Sequence, residues 1–222
     1  MKRYFAMAIG AALTLSTPSV HATVIYDTWN SNLAPNGNYE LTITHNAASS
    51  TFNYNLTVSP WNAEVLGLFV DFGNRDISGP VSLSSVSPLG QVALHALETT
   101  SNSCGTGCSL AGLNPPLGGD GEWELVFRFG DAGYDGIQTF SWTTQDFGLD
   151  ESALGLVAIR AHQLCTSGTL PNDSCDDSDK AYSVAHTRTV TVERVPEPGS
   201  LTLAGLGVLL VSAARRRARQ AV

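Results

Sequence analysis

The sequence predicts an all-β body, an antiparallel β-sandwich of jelly-roll-like form, with an apolar helix at each end of the chain. Three observations carry this. Apolar and polar residues alternate with a period of two through most segments between residues 38 and 194. Gly, Pro, Asn and Ser interrupt those segments at short intervals. The uncharged runs of helical character, residues 4–15 and 201–214, lie at the two termini.

Taken in order, residues 1–22 have the form of a secretory signal. Lys2 and Arg3 give the positive start, residues 4–15 the apolar stretch, and Val20-His21-Ala22 the small residues that a signal peptidase reads. Cleavage is expected between Ala22 and Thr23. Residues 38–46 (NYELTITHN) place Tyr39, Leu41 and Ile43 on one side; residues 51–59 (TFNYNLTVS) do the same with Phe52, Tyr54, Leu56 and Val58. A short polar turn joins the two as a hairpin. Residues 64–72 (EVLGLFVDF) form a more continuous apolar run, consistent with a central strand. Shorter strands are expected at 81–86 and 91–97.

Residues 99–121, rich in Gly, Ser, Asn and Pro, read as a long loop. Residues 122–129 (EWELVFRF) alternate again and are expected to pair with 137–143 across a turn at 130–133. Residues 154–164 admit a helix or a strand; Gly155 and the Val-Ile content favour the strand. Residues 165–180 form a second loop, and 182–194 (YSVAHTRTVTVER) close the body. The domains expected are therefore a signal peptide at 1–22, one extracellular β-sandwich at 23–194, and a C-terminal segment at 195–222.

The body is long enough to bury a core of its own. Residues 23–195 hold 19 acidic and six basic residues, a net charge of −13 against −8 for the whole chain. Such a surface repels nucleic acid and anionic lipid. All four cysteines lie in the body as two local pairs, Cys104 with Cys108 and Cys165 with Cys175. An even count in an exported chain points to disulfides. Three pairings are open; the local one is favoured because each pair brackets a Gly-, Ser- or Pro-containing loop. A four-cysteine zinc site is the rival, but C-x3-C and C-x9-C are not the usual knuckle spacings.

No G-x-S-x-G, H-E-x-x-H or P-loop occurs. His45, His95, His162 and His186 stand singly, without metal-type spacing. Asp173, Asp176, Asp177 and Asp179 put four carboxylates within seven residues, a candidate calcium loop without the EF-hand spacing. Asp131 with Asp135, and Asp71 with Asn74 and Asp76, are lesser candidates. Glu122 and Glu124 flank Trp123 and could serve a glycosidase only across a cleft; an exposed alternating face is the simpler expectation. Trp29, Trp61, Trp123 and Trp142 are expected mostly in the core.

The C-terminal segment is the most specific part of the chain. Pro196-Glu197-Pro198 precedes a 14-residue uncharged apolar run, 201–214, and then Arg215, Arg216, Arg217 and Arg219. As a helix that run rises roughly 21 Å, short of the roughly 30 Å hydrocarbon core. The arginines favour the cytoplasmic side. The order of these three features resembles the PEP-CTERM sorting signal over about the last 25 residues. The resemblance implies a short transmembrane helix, recognition by a membrane-embedded exosortase that cuts near Pro196-Glu197-Pro198, and a Gram-negative host that makes exopolysaccharide. It assigns no activity to residues 23–194.

The expectation is thus an exported, non-enzymatic surface or matrix protein. Its partners are signal peptidase and exosortase during export and an extracellular polysaccharide afterwards, with calcium as the one candidate cofactor. Alternatives are a secreted polysaccharide hydrolase of jelly-roll type and a calcium-dependent adhesion module.

Overall fold

A computed structural model describes residues 21–32, 36–130, 134–170 and 175–188. Twelve strands run through these residues: β1 (His21–Tyr26), β2 (Trp29–Ser31), β3 (Tyr39–Asn46), β4 (Thr51–Val58), β5 (Glu64–Val70), β6 (Ser84–Ser87), β7 (Val92–Thr99), β8 (Trp123–Phe129), β9 (Thr139–Gln145), β10 (Leu156–Leu164), β11 (Asp177–Val184) and β12 (His186–Arg188). A 3₁₀ turn at Glu151–Ala153 is the only helix among the described residues. The strands form two six-stranded sheets, β12-β1-β3-β4-β9-β6 and β2-β11-β10-β5-β8-β7, antiparallel at every pairing. The expected all-β, two-sheet body is present. The two terminal helices fall on residues 1–20 and 191–222, outside the described residues.

The period-two pattern decides which face is buried. On β3 and β4 the residues Tyr39, Leu41, Ile43, Phe52, Tyr54, Leu56 and Val58 turn inward. Between them Thr42, Thr44, Asn53 and Asn55 face out. The expected hairpin is formed with Leu41 opposite Leu56 and Ile43 opposite Tyr54. Strand β5 is buried along its whole length because both of its faces are covered. Val65, Leu68 and Val70 join the core between the sheets. Leu66 and Phe69 join a second cluster with Leu110, Leu113, Trp123 and the Cys104–Cys108 pair. The long loop therefore lies over the second sheet. The approach is close: a Cβ at Gly67 would overlap Cys104 Sγ and lie 2.8 Å from Cys108 Sγ.

Four features depart from the sequence expectations. First, 137–143 does not pair with 122–129. Strand β9 lies between β4 and β6 in the first sheet, and β8 between β5 and β7 in the second. The aromatic rings explain this, since Phe129 meets Phe140 at 4.7 Å and Phe127 meets Trp142 at 5.1 Å across the core. Second, the closing segment is not one strand. It breaks at Ala185, whose N–H donates to Gly155 O at 3.1 Å, so β11 and β12 lie in different sheets. Third, the second loop is shorter than 165–180, because β11 begins at Asp177. Fourth, β1 and β2 were not expected. β1 holds His21 and Ala22 opposite Asn46 and His45.

Candidate functional site

The end of β5 and the start of β8 bring the charge of Asp71 to bear on Glu124 at one end of the second sheet. Register between β5 and β8 runs Leu68 with Phe127, Phe69 with Val126 and Val70 with Leu125. Asp71 follows β5 directly, and the Glu124 carboxylate reaches the N–H of Phe72 beside it. Like charges so placed repel, and both residues are buried, at 2% and 0% exposure. The main chain answers part of this. Asp71 accepts from Gly73 N–H at 2.5 Å and Gly118 N–H at 2.8 Å, and Glu124 Oε2 accepts from Phe72 N–H. Glu124 Oε1 is buried with no hydrogen-bond partner among the described residues. Burial pushes the Glu124 carboxyl up to about 8; the Phe72 N–H opposes the shift and the Asp71 charge adds to it. Tyr26, also buried, has its phenol pKa raised, first by burial and then by Tyr54 and Asp71.

Glycines let the neighbouring loop close on this pair. A Cβ at Gly118 would lie 2.6 Å from Gly73 Cα and 3.1 Å from Asp71 Oδ1, and one at Gly119 would overlap the Asn74 amide. The structure thus brings Asp71 to Glu124 and separates Glu124 from Glu122, which precedes β8 and is partly exposed. The exposed alternating face expected at 122–124 is replaced by a buried carboxylate.

Several other titratable residues are held by partners from other elements. Glu64 is buried and accepts from Asp135 N–H at 2.5 Å and Gly136 N–H at 3.0 Å, with His162 Nε2 at 3.1 Å. His45 has Glu151 at 3.1 Å on Nδ1 and Asp146 at 3.3 Å on Nε2. His186 faces Asp27 at 3.3 Å. Among the described residues no three His, Cys, Asp or Glu side chains converge as a metal site.

In the 173–179 group, Asp173 lies outside the described residues. Asp176 and Asp177 are exposed, while Asp179 is fully buried. It accepts from Gly37 N–H at 2.8 Å, from Tyr39 O–H at 2.9 Å and from Ser31 O–H, and so ties β2 and β3 to β11. Tyr39 has its phenol pKa raised well above the usual range, chiefly by burial and then by Asp179. Of the lesser calcium candidates, Asp131 lies outside the described residues and Asp76 is exposed. Both local disulfides are formed, Cys104–Cys108 and Cys165–Cys175, and no cysteine is free for zinc. Trp123 and Trp142 are core residues as expected; Trp29 and Trp61 are partly buried.

None of these clusters has the layout of a known catalytic motif, and the decisive functional feature lies at the C-terminus. Residues 194–218 match the PEP-CTERM protein-sorting motif. The chain carries a PEP-CTERM sorting signal. Pro196, Glu197 and Pro198 and the arginines through Arg217 fall inside the matched span. The signal implies export, processing by exosortase and membrane-associated sorting to the cell surface. No curated protein and no solved structure matches the chain. Among the described residues no helix is long and apolar enough to cross a membrane; the apolar run at 201–214 lies outside them.

Proposed function

We propose that this chain is an exosortase-processed protein of the cell surface or extracellular matrix whose body, which we take as jelly-roll-like, works by binding, with extracellular polysaccharide as its partner. The sorting motif at 194–218 is the observation that carries this reading. Two disulfides suit an oxidising compartment outside the cytoplasm. The acidic body supports a soluble, exposed role and disfavours nucleic acid. The C-terminal apolar run at 201–214 holds the chain at the membrane until exosortase cuts, and signal peptidase removes residues 1–22.

A hydrolase would need two carboxylates reaching into an open cleft. Glu124 is wholly buried, which favours binding over catalysis. The test is deletion of Pro196-Glu197-Pro198 in the producing cell. The truncated chain should stay in the membrane fraction at full length, while the unaltered chain is released or displayed in shortened form. Equal processing of both would overturn the reading. Pull-down on insoluble neutral and acidic polysaccharides tests the partner; retention on none of them removes that part alone.

A further inference from the structure

We propose that Asp71 and Glu124 hold a divalent cation of the hard, oxygen-preferring class, calcium. Buried charges are normally paired with an opposite charge or a metal. Asp71 and Glu124 are both buried. Among the described residues neither is paired with a cationic side chain, since every ion pair recorded there uses a histidine elsewhere. Glu124 Oε1 is fully buried and has no hydrogen-bond partner among the described residues, which leaves a carboxylate oxygen open to a cation.

The surroundings suit an oxygen-ligated ion. Calcium takes roughly six to eight oxygens from carboxylates, amide and main-chain carbonyls, and water. Two carboxylates neutralise its charge, and no third acid is required. Gly118 and Gly119 bring the 118–120 main chain against Asp71 and Asn74, an approach that a Cβ at either position would block. Asp120 adds negative potential at Glu124. Two charged ligands place the affinity in the weak range of extracellular calcium modules, about 10⁻⁴–10⁻³ M. This site is distinct from the acidic 173–179 loop, whose Asp179 is committed to Ser31, Gly37 and Tyr39.

The test is thermal unfolding of the exported chain in chelator and in increasing CaCl₂, with NaCl matched for ionic strength. A saturable rise of about 3–5 °C is expected at roughly ten times Kd. Glu124→Gln and Asp71→Asn should each abolish it, while Asp176→Asn with Asp177→Asn should leave it intact. No rise in the unaltered chain, an equal rise in NaCl, or a rise that survives Glu124→Gln overturns the proposal. Equilibrium dialysis of the unaltered chain decides the matter should either variant fail to fold. About one calcium per chain is expected in the millimolar range; no bound calcium overturns the site.

Discussion

Gly67 on β5 lies directly beneath Cys104, with no room for even one more carbon between the strand and the disulfide. The loop at 100–121 therefore acts as a lid on the second sheet, and Gly67 is what lets it lie flat. Gly67→Ala should cost about 1–3 kcal/mol, the usual range for overpacking a close contact. The same substitution should cost much less when Cys104 and Cys108 are both serine. Denaturant unfolding of the four proteins in the cycle measures the coupling; equal costs in both backgrounds would refute the packing argument.

The Cys165–Cys175 bridge closes a loop of sequence separation 10. Its loss through paired Cys→Ser substitution should reduce stability by about 2–3 kcal/mol in the chain-entropy account. The Cys104–Cys108 bridge, with separation 4, should contribute less by that account. Melting temperatures of the two double variants, compared with the parent under non-reducing conditions, check the order.

Asp179 is a structural residue. Asp179→Ala leaves the Tyr39 hydroxyl and the Gly37 N–H buried without their acceptor, and each such loss costs about 1–3 kcal/mol. Urea unfolding should show a loss of about 3 kcal/mol or more. Asp176→Asn and Asp177→Asn, both at exposed positions, should stay within about 0.5 kcal/mol. A large effect at 176 or 177 and none at 179 would reverse this assignment.

Glu124 makes stability depend on pH when cations are withheld. Its carboxyl lies at about 8 in the fold against an ordinary 4.5. The folded state therefore binds the proton more tightly than the unfolded state. That contribution is fully present below about 4.5 and is lost as pH rises through about 8. In chelating buffer the melting temperature should fall between pH 5 and 8, and Glu124→Gln should flatten that part of the profile. A profile unchanged by Glu124→Gln would place the titration elsewhere.

Local pattern made much of the body legible. The alternation in 38–59 predicted a hairpin whose register the structure keeps, from Tyr39 opposite Val58 to Asn46 opposite Thr51. The largely apolar run at 64–72 holds β5, Glu64–Val70, paired on both sides and covered on both faces. Partner choice was not legible. Nothing local says that β8 and β9 cross between sheets, because that is decided by Phe127, Phe129, Phe140 and Trp142 meeting across the core. The Asp71–Glu124 pair was hidden for the same reason. Phe72 and Glu124 are 52 positions apart, and only the β5–β8 register makes them neighbours. In sequence Asp71 stands with Asn74 and Asp76, and Glu124 with Glu122; nothing local sets Asp71 beside Glu124. Strand β1 escaped notice because its first residues, His21 and Ala22, coincide with the end of the signal pattern.

Whether both ends of the chain are processed is settled most directly by the intact mass of the protein recovered from the surface and medium of the producing cells. The predicted species begins at Thr23 and lacks the apolar run at 201–214 together with the arginines that follow it. A mature protein that still ends at Val222 would contradict sorting through the Pro196-Glu197-Pro198 signal.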